Sequence, residues 1–364
     1  MIELFRGLYQ RYFSEQEAII FSLLLVIFFS VLWTIGSIIA PLLWSLVLAY
    51  LLQGMVNALE RLRMPHHLAV YLVYCLFLGV TFLSLLVFLP FSFNRLAGLV
   101  NDLPKMMDQL RNLVLLLPQN YPDVFSVEQV QRWFNVLQNG LMSWGQALLS
   151  QSMSSFPRLI TWMVYTVLVP ILVFFMLKDS KKLLIWFTNW LPERRPIMAQ
   201  VWQEMNDQLS NYIRGKALQI VIVGVVAFAL FALMGLNYAL LLAVLVALSI
   251  IVPYVGVTAV SVPVLLVAFF QWGFSADLYQ FVIAFLILHA LDGNLLVPLI
   301  FSETVNLHPI AIIASVLVFG GLWGFWGVFF AIPLATFIKA VIHAWPISQT
   351  AEELVAARGE STQS

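Results

Sequence analysis

The chain reads as an all-α protein that crosses a membrane about eight times. Two of the crossing helices are broken, and a small helical insert lies on the extracytoplasmic side. Three observations predict this. Of 364 residues, 62% are hydrophobic and only 10% charged, against roughly 45–50% and 25% in a soluble domain. Residues 18–59 hold no Asp, Glu, Lys or Arg, and residues 217–338 hold no Lys or Arg and only three acids, Asp277, Asp292 and Glu303. Both runs exceed the roughly 20 apolar residues that one crossing needs. Short basic clusters separate the runs, which is the pattern that orients a membrane chain.

The first apolar run follows Glu3, Arg6, Arg11, Glu15 and Glu17 and has no small-residue cleavage pattern, so it reads as an uncleaved span. Gly36, Ser37 and Pro41 divide residues 18–59 into spans near 18–35 and 38–57. A third span near 68–92 follows the cluster from Glu60 to His67, completing a three-span region over 1–92. Residues 93–156 differ: charges alternate with apolar stripes at helical spacing, Leu110, Leu113, Val114 and Leu117 in one and Val127, Val130, Phe134, Leu137, Leu141, Trp144 and Leu148 in the other. A loop over 118–122 separates them, and Ser126 with Gln129 forms a capping box that opens the second helix. This insert has two readings, a solvated hairpin or a surface for lipid or a neighbouring subunit.

A fourth span near 157–177 contains Pro170 and opens a five-span region over 157–346. Within that region, 178–213 is a cytoplasmic amphipathic segment with Lys178, Lys181 and Lys182, then Trp186, Phe187 and Trp190. Further runs lie near 217–235, 238–271, 277–300 and 308–340. The run 238–271 would be about 50 Å long as one helix. Pro253, Gly256 and Pro263 interrupt it; one broken crossing is the preferred reading, and two crossings are the alternative. Gly320, Gly321, Gly324, Gly327 and Pro333 break the last run and offer a smooth packing face or a hinge. Residues 347–364 form a polar tail. With both termini cytoplasmic, 13 of the 18 Lys and Arg fall inside.

Composition also excludes several functions. Net charge is zero, so nothing points to nucleic acid, and the single cysteine, Cys75, rules out an internal disulfide or a cysteine-rich metal site. Gly215-Lys216 is followed by Ala217 and lacks the glycines of a phosphate loop. Glu352, Glu353 and Arg358 sit in the tail, with the wrong placement for a membrane protease. No catalytic residue, cofactor or metal is expected, and an enzyme ranks third among the readings.

The strongest polar signal inside a span is His289-Ala290-Leu291-Asp292-Gly293-Asn294. A carboxylate among apolar helices is costly and marks an ion or substrate path by default. His289 and Asp292, three apart, share a helix face, and Asn294 adds an amide. Arg214 at the mouth of the fifth span, with Pro253 and Gly256 at the break, completes the pathway candidates. Structural glue between helices is the competing reading for the cluster, and an anchor at the membrane face is the competing reading for Arg214.

Several stretches carry a family resemblance: Val169-Pro170-Ile171-Leu172-Val173-Phe174-Phe175-Met176-Leu177-Lys178-Asp179, Asn211-Tyr212-Ile213-Arg214-Gly215-Lys216, Pro253-Tyr254-Val255-Gly256, Leu291-Asp292-Gly293-Asn294, Leu307-His308-Pro309, Phe319-Gly320-Gly321-Leu322-Trp323-Gly324 and Ala331-Ile332-Pro333-Leu334. Together they resemble the autoinducer-2 exporter family, in particular its permease-like members from Gram-negative bacteria, over about 18–346. The resemblance implies a bacterial inner-membrane permease with an extracytoplasmic insert. It implies a homo-oligomer as well, with a pentamer as one candidate, and export of a small signalling molecule or sodium/proton antiport. Many members of that family carry glutamine where this chain has His289, which weakens a proton role for it. The expectation is a secondary transporter whose partners are the bilayer, a small-molecule or ion substrate and further copies of itself. The alternative is an oligomeric scaffold or channel-like assembly without alternating access.

Overall fold

A computed structural model describes residues 16–35, 38–114, 126–153, 156–193, 195–253, 255–301 and 307–345. The expected turn at Gly36-Ser37, the loop over 118–122 and the tail over 347–364 lie outside the described residues. The chain runs α1 (Gln16–Ile35), α2 (Ala40–Arg61) and α3 (His66–Leu83), then through a π-turn (Ser84–Phe88) into α4 (Leu89–Val114). Next come α5 (Val127–Met153), α6 (Phe156–Lys178), α7 (Ser180–Thr188), α8 (Pro196–Leu233), α9 (Ala239–Ser249) and α10 (Val255–Trp272). Then α11 (Ala276–Leu291) passes through a second π-turn (Asp292–Leu296) into α12 (Val297–Phe301), followed by α13 (Pro309–Phe329) and α14 (Ala331–Ala344). No strand occurs among the described residues. Among the described residues, 6 helices are long and apolar enough to cross a membrane and four more are apolar but shorter, where the sequence suggested about eight crossings.

Contacts divide the chain into two compact units. One is Met1–Asn57 with Leu172–Gly215 and Phe301–Ser364; the other is Ala58–Ile171 with Lys216–Ile300. In the first, Phe21 of α1 packs with Ile197, Met198 and Val201 of α8 and Ala340 of α14. Helix α8 begins at Pro196, so its first-turn N–H groups lack helical partners. Glu17, only 7% exposed, answers one of them: its Oε1 accepts from the Met198 N–H at 2.9 Å. A carboxylate there also meets the positive end of the helix dipole. Glu17→Ala should therefore lower stability by about 0.5–2 kcal/mol. A melting transition in detergent unchanged from the parent protein would refute that role.

The last run reverses within this unit. Gly324 has φ 59° and ψ −135°, a conformation open mainly to glycine, and it breaks α13. Beyond it the chain doubles back so tightly that a Cβ on Gly327 would lie 1.7 Å from the Phe319 carbonyl oxygen, and one on Gly320 2.7 Å from a Val328 methyl. Residues 308–340 therefore form a helical hairpin, which corrects their reading as one broken crossing. Trp44 of α2 packs on its tip, with its ring 4.9 Å from Trp326.

The second unit holds the other reversal. At the open end, the Asn237 N–H donates to Gln271 Oε1 at 2.7 Å, and Gln271 Nε2 donates to the Gly235 carbonyl at 2.7 Å. At the tip, a Cβ on Gly256 would lie 1.8 Å from the Ser249 carbonyl oxygen. Helices α9 and α10 are thus antiparallel, with both ends of 238–271 adjacent, and the expectation of one broken crossing is corrected here too. Their 11 and 18 residues make rods of about 16 and 27 Å. The physical reason is local: Pro253 has no N–H to continue α9, and Gly256 has no side chain to hold the returning backbone away.

The hairpin belongs to a core that includes Val223, Ala227 and Phe231 of α8, Leu242 and Val246 of α9, Val264 of α10, and Phe281 and Phe285 of α11. Helix α4 of the insert packs Leu99 against it. Helix α3 runs straight through the π-turn into α4, so the insert begins within a continuous helix. The capping box forms as expected: Gln129 N–H donates to Ser126 Oγ at 3.2 Å and Ser126 N–H to Gln129 Oε1 at 3.4 Å. Tyr238, held at φ 61° between α8 and α9, donates to Asp102 Oδ2 at 2.5 Å. Burial first, then the hydrogen bond and charge of Asp102, push the Tyr238 phenol up to about 12, so it stays a neutral donor.

Candidate functional site

Two core-facing stripes of the second unit meet along a seam. On α8 the stripe is Gln219, Val223, Ala227 and Phe231; on α11 and its π-turn it is Phe281, Phe285, Leu288 and Asp292. Phe231 packs on Phe281 and Phe285 at 5.5 and 6.0 Å between ring centroids. At the other end of the seam the rings give way to a polar pair. Gln219 Nε2 donates to Asp292 Oδ1 at 2.8 Å, and Gln219 Oε1 accepts from Lys216 Nζ at 3.1 Å. Gln219 is 2% exposed and Asp292 9%. One amide therefore sits between an ammonium and a carboxylate, using its donor for one and its acceptor for the other. Burying this carboxylate without a donor would be costly, and Gln219 supplies that donor.

The π-turn explains why Asp292 stands where it does. Val297 N–H reaches back five residues to the Asp292 carbonyl, widening the helix by one residue. Such turns concentrate at functional sites because they change the side-chain register. Gly293 has open space where a side chain would begin. Asn294 is not part of the polar pair: its Nδ2 donates to the Ala290 carbonyl at 2.9 Å in its own helix. His289 packs edge-on against Phe285 at 4.5 Å. Its Nε2 is buried without a hydrogen-bond partner among the described residues; the bond to Asp292 is a backbone one, from the Asp292 N–H to the His289 carbonyl.

The other predicted residues have separate surroundings. Pro253 and Gly256 close the α9–α10 turn, and Gly320, Gly324 and Gly327 close the α13 reversal, while Gly321 faces open space. Pro333 is buried in the first turn of α14, and its carbonyl accepts from Thr336 Oγ1 at 2.8 Å. Arg214 lies in the first unit against Gly54 of α2, where a Cβ would come 2.9 Å from the arginine Nε. That Nε has no hydrogen-bond partner among the described residues. Tyr50 OH donates to Asn206 Oδ1 at 3.0 Å between the same two helices.

The sequence reading missed Gln219 altogether and left Lys216, like Arg214, with two readings, an anchor at the membrane face or a partner for an acid or anion. The usable signal was register: Gln219 falls on the same stripe as Val223, Ala227 and Phe231, where a polar residue needs a partner across the seam.

These features define an α-helical, multi-pass membrane protein with an ionisable cluster inside its apolar helices. The AI-2E family transporter profile matches residues 21–347. The protein of Escherichia coli (strain K12) named as a permease, PerM, is 44% identical over 353 residues, covering 97% of this chain and 100% of that one. A Bacillus subtilis (strain 168) protein named as a transport protein, YueF, is 29% identical over 84% of each chain. The AI-2 transport protein TqsA of Escherichia coli (strain K12) is 24% identical over 85% of this chain and 86% of its own. The chain belongs to the AI-2E family of transporters.

Proposed function

We propose that this protein is a secondary transporter of the bacterial inner membrane that exports a small polar solute, coupled to a cation or proton at Asp292. The buried Gln219–Asp292 pair, with Lys216 half-buried beside it, carries the reading, because an ionisable group inside crossing helices has a cost that transport chemistry explains. Two helical hairpins that interrupt otherwise apolar runs fit a transporter, since such folds build their sites from discontinuous helices. The exposed apolar residues Trp133 and Val136 of the insert offer a contact surface for a homo-oligomer. The name of TqsA makes AI-2 the first solute to test.

The decisive experiment is flux. Purified protein in liposomes should move a candidate solute when a proton or sodium gradient is imposed and should stop when the gradient is collapsed. Flux indifferent to every gradient would favour a channel-like assembly. Orientation is testable separately. Both termini are assigned to the cytoplasm and the insert to the opposite side; two reversals rather than one leave that assignment of the C-terminus intact. Cysteines placed at Asn139 and Gln200 in a Cys75→Ser background should label from opposite sides of the membrane. Labelling of both from one side would reject the topology.

A further inference from the structure

We propose that α7 is a membrane-surface helix that holds anionic phospholipid in the leaflet where α6 ends. The helix has 9 residues and is about 14 Å long, far too short to cross a bilayer. It follows the apolar helix α6 after a single residue, α6 ending at Lys178 and α7 starting at Ser180, so it begins where α6 ends at the membrane face. No residue of α7 is buried by protein among the described residues. Ile185, Trp186 and Phe187 are exposed, and Trp190 just beyond is 77% exposed. Trp186 meets Phe187 at 4.9 Å and Trp190 at 6.0 Å, forming one aromatic surface. Tryptophan in such a place is at home in the headgroup layer, where an apolar ring and a polar N–H are both satisfied.

Charge selects the lipid. Lys178, Lys181 and Lys182 stand at the N-terminal end of the helix against a single acid, Asp179, which pairs with Lys182 at 3.0 Å. The Lys178 ammonium lies 5.4 Å over the Phe174 ring. The opposite end is pinned: Arg195 Nη1 donates to the Thr188 carbonyl at 2.7 Å and the Pro192 carbonyl at 3.3 Å, closing the helix C-terminus onto the loop that enters α8. The result is a short aromatic rod with a basic head, joined to α6 at one end and held against the start of α8 at the other. A short apolar helix with lysines beside it binds by burying its rings shallowly while the lysines attract phosphate-bearing headgroups.

The test uses the full-length protein with a fluorophore on Asn189→Cys in a Cys75→Ser background, reconstituted in phosphatidylcholine. Trace phosphatidylglycerol or phosphatidylcholine carries a spin label near the headgroup. The phosphatidylglycerol probe should quench more strongly, by about fivefold in apparent affinity for each lysine engaged at low salt. Raising the salt should erode the preference, and Lys181→Gln with Lys182→Gln should bring the ratio toward one. Equal quenching by both headgroups in the unsubstituted helix would overturn the charge selection. Quenching by aqueous iodide with no lipid quenching would place α7 in water, and disulfide formation between Asn189→Cys copies that shields the site from lipid would assign the surface to a second copy. Either outcome overturns the proposal, whatever the solute flux shows.

Discussion

Asp292→Asn should abolish gradient-driven flux while leaving the folded protein intact. The amide has the shape of the carboxylate, and its oxygen can still accept from Gln219 Nε2, now at 2.8 Å. What disappears is the charge that a proton or cation would meet. A fall of about tenfold or more in coupled flux is expected, corresponding to at least about 1.4 kcal/mol, with an unchanged gel-filtration profile. Gln219→Leu should behave differently. It leaves a buried carboxylate without its donor and should lower stability by about 1–3 kcal/mol as well as flux. His289→Gln should have the smaller effect, since the ring Nε2 makes no hydrogen bond among the described residues that the exchange could break. Full gradient-driven flux in Asp292→Asn would reduce the polar cluster to helix packing.

The second large effect concerns shape. Gly256→Ala and Gly327→Ala should each prevent accumulation of correctly folded protein, because the added Cβ would fall 1.8 and 1.7 Å from backbone oxygens of Ser249 and Phe319. Backbone atoms cannot swing aside like the end of a flexible side chain, so the cost should exceed the usual 1–3 kcal/mol of overpacking, by about as much again. Gly321→Ala provides the contrast within the same motif. Nothing lies within 4 Å of its Cβ position, and a helical glycine replaced by alanine gains about 0.5–1 kcal/mol. Equal tolerance of all three substitutions, read from yield and thermal melting in detergent, would show that the two hairpin contacts do not hold the reversals.

Local features of this fold were legible in the sequence. The charge-free runs marked the membrane helices, and the Ser126–Gln129 box opened α5 as expected. Asp292 was visible because a carboxylate stands out against 122 residues without Lys or Arg, from 217 to 338. The sequence left 238–271 open between one crossing and two, because Pro253 and Gly256 are compatible with a kink as well as a turn. Only the contact of Gln271 with Gly235 and Asn237 decides between them, and it depends on residues more than thirty positions apart. Gln219 escaped for another reason: a neutral amide raises no alarm in a charge pattern, and its importance comes from Asp292, 73 positions away. Glu17 looked like part of a polar leader, yet its partner on α8 lies 181 positions along the chain.

An amide in the position of Gln219 has one more consequence. It carries the influence of Lys216 to Asp292 through aligned dipoles, but it neither gives up nor accepts a proton under ordinary conditions. The ammonium and carboxylate thus sense each other across an electrical insulator. Through this amide the two groups are joined by hydrogen bonds and not by a path along which a proton is handed on.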